Sequence, residues 1–168
     1  SVKVNLDYSQ SESYTDGVKQ VIRYFVFSPT PKSASWNYVA NGDGIYIQLR
    51  NYDASGMCME ICYVSGGVST CVQGWVGLGV DKNGFESLTL TRTDTGYSVS
   101  VNDNIIGSYA IPHNAASASG NGKNYTFFGV GGYKDGTAGD YALSLKIRSF
   151  ECEYAGEEFD KAHDVFKA

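Results

Sequence analysis

Apolar and polar residues alternate with a period of two over several short stretches of this chain, the signature of strands with one buried face. Val21 to Phe27 is the first clear case. In Gly44-Ile45-Tyr46-Ile47-Gln48-Leu49-Arg50, Ile45, Ile47 and Leu49 share a face; Leu88 and Leu90 alternate with Thr89 and Thr91, and Val99 and Val101 flank Ser100. Each is expected to be half-buried, with its other face wet. Turn residues punctuate the runs at Asn41-Gly42-Asp43-Gly44, Asn83-Gly84, Asp94-Thr95-Gly96, Asn102-Asp103 and Lys134-Asp135-Gly136. This spacing predicts an antiparallel sandwich or barrel and not a series of βαβ units.

Met57 to Trp75 is the most informative stretch. Gly66 and Gly67 can both take positive φ, so Val64-Ser65-Gly66-Gly67-Val68 reads as a hairpin with a two-residue primed turn. Ser65 then pairs with Val68, which puts Cys62 opposite Cys71, Glu60 opposite Gln73 and Cys58 opposite Trp75. Directly opposed strand residues have Cα atoms about 4.5–5.5 Å apart, within the range a disulfide accepts. Cys62–Cys71 is therefore the favoured bridge, with Cys58 and Cys152 left as a second pair. A three-residue loop would slip the register by one and remove the opposition. The same register groups Met59, Ile61, Tyr63, Thr70 and Val72 on the core face, and Glu60, Gln73 and Trp75 on the outer one.

Towards the end of the chain, Leu143, Leu145 and Ile147 share one parity while Phe150, Cys152 and Tyr154 have the other. A β-bulge near Arg148-Ser149 in a strand from Tyr141 to Tyr154 would return both sets to the core. Phe159, Ala162 and Phe166 recur at helical spacing, predicting a short terminal helix. The organisation is thus a sandwich domain over 1–155 and a helical tail over 156–168, with Ala115 to Lys123, small and polar, expected as a long mobile loop.

Composition narrows the partners. With 13 basic and 18 acidic side chains the chain carries −5 at neutral pH, which disfavours nucleic acid or an anionic membrane surface as its partner. No apolar run approaches the roughly 18 residues of a spanning helix. Four cysteines and one Asn-x-Ser/Thr sequon, Asn124-Tyr125-Thr126, point to a secreted or extracellular protein glycosylated at Asn124.

Catalytic patterns are sparse. His113 and His163 stand fifty positions apart, which leaves a two-histidine metal site or a Ser-His-Asp triad without its parts. Neither a nucleophile elbow nor a phosphate-binding loop is present, and Gly77-Leu78-Gly79 and Gly129-Val130-Gly131-Gly132 read as close backbone packing. Cys58, Cys62 and Cys71 lie on strands without a nearby histidine and read as structural. A glycoside hydrolase needs a second carboxylate about 5–5.5 Å from Glu60 if it retains configuration, and the strand around Glu60 supplies none. Asp81 to Glu86 spaces oxygen ligands along a turn but falls short of a calcium loop. No cofactor or metal is expected.

What remains is surface chemistry. Aromatic rings among amides and carboxylates suit sugars, whose C–H faces stack on a ring while their hydroxyls exchange hydrogen bonds with planar polar groups. Trp75, Gln73 and Glu60 on one face form the candidate site, with Asn102, Tyr133 and Asp135 as contacts from neighbouring loops.

Phe85 to His113 resembles the middle of galectin and laminin-G-like sandwiches. The resemblance lies in Leu88-Thr89-Leu90, in Tyr97-Ser98-Val99-Ser100-Val101-Asn102-Asp103 and in the strand ending at Tyr109; Tyr141 to Phe150 is similar to the closing strand. It implies a concanavalin-like jelly roll. The galectin sugar-binding pattern is not carried: His113-Asn114 is followed by Ala115-Ala116, and Trp75 by Val76, Gly77 and Leu78. The expected function is a non-enzymatic, lectin-like module for glycans or glycoproteins. The alternatives are a protein-binding adhesion or structural domain, and a glycoside-acting enzyme using Glu60.

Overall fold

The structure, a computed structural model, describes residues 1–9, 11–12, 21–30, 39, 42–52, 56–120, 123–134, 137–138 and 145–153. Its strands are β1 (Val2–Asp7), β2 (Val21–Ser28), β3 (Gly44–Tyr52), β4 (Gly56–Ser65), β5 (Val68–Gly77), β6 (Ser87–Thr93), β7 (Gly96–Val101), β8 (Asn104–Tyr109), β9 (Ala118–Gly120), β10 (Lys123–Tyr125), β11 (Phe127–Lys134), β12 (Thr137–Ala138) and β13 (Lys146–Cys152). A 3₁₀ turn, His113–Ala115, lies between β8 and β9. A five-stranded sheet runs β13-β1-β6-β7-β8, a six-stranded sheet runs β12-β11-β2-β3-β4-β5, and β9 and β10 form a separate hairpin. Every pairing is antiparallel.

The two large sheets share one core. The five-stranded sheet supplies Val4, Leu6, Leu88, Leu90, Val99 and Val101; the six-stranded sheet supplies Phe25, Phe27, Ile45, Ile47, Leu49 and Ile61. Within each strand these residues alternate, as the period of two requires. Fully burying such a side chain contributes about 1.5–3 kcal/mol, so this layer is the main source of cohesion. Phe128 on β11 links the layers, its ring centroid 5.4 Å from that of Phe27 and 5.3 Å from that of Phe150 on β13.

Turn chemistry holds where residues demanded it. Gly66 and Gly67 have φ of 60° and 78°, and Asn102 and Asp103 have φ of 49° and 64°, the primed-turn geometry that matches strand twist. Asn102 does more than turn the chain. Its Oδ1 accepts from the backbone N–H groups of Glu86 and Ser87, at 2.8 and 3.1 Å, and its Nδ2 donates to the Gly84 carbonyl. The β7–β8 turn is thereby bound to the segment entering β6. The β-bulge expected near Arg148-Ser149 lies at Arg148: Asn5 pairs with Ser149 and Leu6 with Ile147, leaving Arg148 without a partner position. Its guanidinium then reaches the Asp7 carboxylate at 3.3 Å.

Four expectations need correction. The second faces of β2 and β3 are not wet: Tyr24, Val26, Tyr46 and Val64 make a second buried cluster, and Gln48 beside them is only 2% exposed. The bulge in β13 does not return its residues to the core, since Ile147 and Phe150 are 44% and 36% exposed on an edge strand. Ala115 to Lys123 is not one long loop. Ala115 and Ala116 are buried against the core, and β9 and β10 follow. Thr70 is exposed, two residues from the end of the hairpin. The helical tail over 156–168, Tyr154 and the 141–144 part of the last strand lie outside the described residues.

Candidate functional site

Strand parity places the even-numbered residues of β3 and β4 on the outer face of the six-stranded sheet. Tyr46 stands opposite Cys62, Gln48 opposite Glu60 and Arg50 opposite Cys58. Towards β2 this face is closed by the Tyr24, Val26 and Tyr46 cluster; towards β5 it opens, with Glu60 and Trp75 half-buried and Cys71 exposed.

The β4–β5 ladder changes register twice in this region. Cys62 pairs with Cys71 as the sequence requires, but Ile61 pairs with Gln73 and Met59 with Val76. One extra residue on β5, Val72, is taken up between Cys62 and Ile61, and a second across Glu60, where Gly74 and Trp75 stand opposite one residue, so Glu60 is not opposite Gln73, and Cys58 faces Gly77 instead of Trp75. The reason is local: Gly74 lacks a side chain to pack and lets β5 bulge, which re-aims its neighbours. Gln73 turns its amide to the Gly74 carbonyl at 3.0 Å. Trp75 nevertheless reaches the outer face, where the Arg50 guanidinium lies 3.8 Å from its ring centroid and 5.2 Å from that of Tyr52. Arg50 was not among the sequence candidates. Its parity with Gln48 and Tyr46 marked the face, but the bulge that brings Trp75 over it was not legible in spacing.

Glu60 is held by its neighbour on β3. Gln48 Nε2 donates to one carboxylate oxygen at 2.6 Å, and the Cys71 thiol lies 4.0 Å from the other. Burial pushes the Glu60 carboxyl up, opposed by the Arg50 charge and the Gln48 hydrogen bond. Burial likewise pushes the Cys62 thiol up, reinforced by the Glu60 charge and by Cys71. A Glu60 oxygen and the sulfurs of Cys62 and Cys71 all lie within 4.8 Å of one another.

The expected disulfides are not formed, and all four thiols are free. Cys62 and Cys71 have the opposed register of a bridge without the bond. Cys58 and Cys152 lie on different sheets, on β4 and at the β13 edge, where no strand register brings them together.

The remaining candidates are dispersed. Asn102 spends its amide on the clamp described above. Tyr133 is on β11 opposite Ile22, Asn124 is on β10 opposite Ser119, and Asp135 lies outside the described residues. In the Asp81 to Glu86 segment, the Asp81 carboxylate accepts from the N–H groups of Asn83 and Gly84, both at 2.9 Å, the bonding of a capped turn. His113 is bonded to the Thr93 carbonyl through Nε2 at 2.8 Å and to Arg92 through Nδ1 at 3.0 Å, pinning the 3₁₀ turn to β6. No helix among the described residues is long and apolar enough to cross a membrane. Comparison with protein-family models, curated proteins and solved structures returns no match to the chain.

Proposed function

We propose that this chain is a secreted, non-enzymatic carbohydrate-binding module, a concanavalin-like jelly roll that takes glycans or glycoproteins on the outer face of its six-stranded sheet. The observation that carries the reading is Arg50 stacked on Trp75 at the open end of that face. A guanidinium over an indole is fixed in position and offers N–H donors to vicinal hydroxyls, while the indole face turned away from it offers a surface for sugar C–H groups. Glu60, whose carboxyl feels the Arg50 charge, adds an acceptor on the same face. In keeping with a jelly roll, β1 pairs between β13 and β6 while β2 to β5 meander in the opposite sheet.

The test is a glycan array with the purified chain, repeated with Trp75→Ala and Arg50→Ala. Binding to a defined set of glycans that falls at least tenfold in both variants supports the reading. An array at background, or one unaffected by either substitution, rejects it.

A protein-binding role has its own observation. Val130 on β11, on the same strand face as Phe128, and Ile147 and Phe150 on β13 keep apolar side chains exposed, and the contact of the Phe128 and Phe150 rings joins the two strands. That reading predicts a partner whose binding survives excess sugar and fails in Ile147→Asp.

A further inference from the structure

We propose that Cys62, Cys71 and Glu60 form a binding site for a divalent cation of the zinc class. The three side chains converge from two strands onto one face, with their ligand atoms within 4.8 Å of one another. In a tetrahedral zinc site sulfur ligands stand about 2.3 Å and carboxylate oxygens about 2.0–2.2 Å from the metal, which puts neighbouring ligand atoms roughly 3.5–3.8 Å apart, so the three groups must draw in by rotamer changes of about an ångström to close on an ion. The spacing has a structural cause. The Gly66-Gly67 turn sets Cys62 opposite Cys71, and Glu60 precedes Cys62 by two positions on the same face of β4.

Gln48 supports the assignment. It is 2% exposed, it stands directly opposite Glu60 in the β3–β4 ladder, and its amide donates to one carboxylate oxygen. The other oxygen is left on the Cys71 side, 4.0 Å from the thiol. A hydrogen-bonded partner behind a ligating carboxylate is the usual way a metal site orients its ligands. Two sulfurs and one oxygen select a soft to borderline cation over calcium or magnesium, which take oxygen ligands.

Binding exchanges protons for metal. Each thiol gives up its proton to solvent and binds as thiolate, so one dication with two thiolates and one carboxylate carries a net charge of −1. Arg50, whose charge already acts on Glu60, lies on the same face to balance it. Three protein ligands leave a fourth position for water or an incoming donor. The site goes beyond the glycan reading, with which it shares Glu60 alone.

The test titrates the full chain, reduced with a phosphine, with Co²⁺ and then Zn²⁺. The expected result is thiolate-to-cobalt charge-transfer absorption that saturates at one equivalent and is displaced by Zn²⁺. Cys71 is exposed, so Cys71→Ser leaves the fold intact by circular dichroism and abolishes the absorption. Glu60→Gln keeps the absorption and weakens the metal at least tenfold, and Gln48→Ala weakens it roughly 10- to 100-fold. No charge-transfer absorption in the reduced wild type overturns the proposal, as does undiminished absorption in Cys71→Ser or unchanged affinity in Glu60→Gln. Trp75→Ala separates the two readings, because it removes glycan binding and leaves cobalt absorption unchanged.

Discussion

The guanidinium of Arg50 on β3 lies 3.8 Å from the ring centroid of Trp75 on β5, across the intervening strand β4. The contact joins the centre of the six-stranded sheet to its edge strand, where β5 bulges. Cation–π pairs of this kind contribute about 0.5–2 kcal/mol, more as water is excluded. In a Trp36→Phe background, where Trp75 is the one remaining indole, Arg50→Ala is expected to shift Trp75 emission and to lower stability by about 1 kcal/mol. Urea denaturation followed by fluorescence checks both. Emission and midpoint unchanged from the parent would show that the pair is not maintained in solution.

Asn102 is expected to be the most sensitive polar residue of the turns. Its substitution by alanine removes three hydrogen bonds to the Gly84–Ser87 segment and puts at a φ of 49° a residue that tolerates the left-handed region less well than asparagine does. With each bond contributing about 0.5–1.5 kcal/mol, the loss is about 2–4 kcal/mol. Asn102→Gly keeps the backbone conformation and is expected to lose less. Equilibrium denaturation of the two variants decides the matter. Equal losses would mean that conformation contributes nothing.

Gly96 admits no side chain. A β-carbon there would overlap the Tyr109 carbonyl oxygen and come within 2.8 Å of the Ile111 nitrogen, both backbone atoms that cannot swing aside. Gly96→Ala therefore forces β8 away from β7 and is expected to cost about 3 kcal/mol, at the upper end of overpacking substitutions. A thermal midpoint within two or three degrees of wild type, on the order of 1 kcal/mol, would be incompatible with this packing.

Asp7 is expected to make stability depend on pH in the acid range. The Ser9 hydroxyl and N–H, followed by Arg148, lower its carboxyl from 3.8 to about 2. A carboxyl depressed in the folded state favours folding when ionised. Its contribution is therefore complete above pH 3.8 and is lost as pH falls from 3.8 towards 2. The stability difference between wild type and Asp7→Asn should be constant from pH 7 to about 5 and shrink below pH 4. A difference that grows on acidification would contradict the assigned direction.

Much of this architecture was legible because strand formation on a common core is a local, periodic demand. Ile45, Ile47 and Leu49 read as one face and are one face; the paired glycines at 66 and 67 read as a primed turn and placed Cys62 opposite Cys71. The parity change after Ile147 required a bulge, and Arg148 is the bulged residue. These follow from side chains that alternate at every residue and from turns that few residue types can make.

Tertiary structure decided what periodicity does not encode. Whether the second face of β3 is wet depends on what lies over it, and the clustering of Tyr24, Val26 and Tyr46 with Val64 left Gln48 buried where solvent was expected. Where β5 bulges depends on how two strands share twist against a core, so the partners of Glu60 and Trp75 moved although their residue types did not. Asn102 carried the signal of a turn and of a surface amide alike, and only the approach of the Gly84–Ser87 segment from elsewhere in the chain made it a clamp. The sequence by itself determined the strongly alternating strands, the glycine and Asn-Asp turns and the Cys62–Cys71 opposition, because each rests on contacts between near neighbours. The convergence of Arg50 on Trp75, and of Gln48 and Glu60 on the cysteine pair, came from strands placed side by side, a long-range relationship that no short stretch of residues specifies.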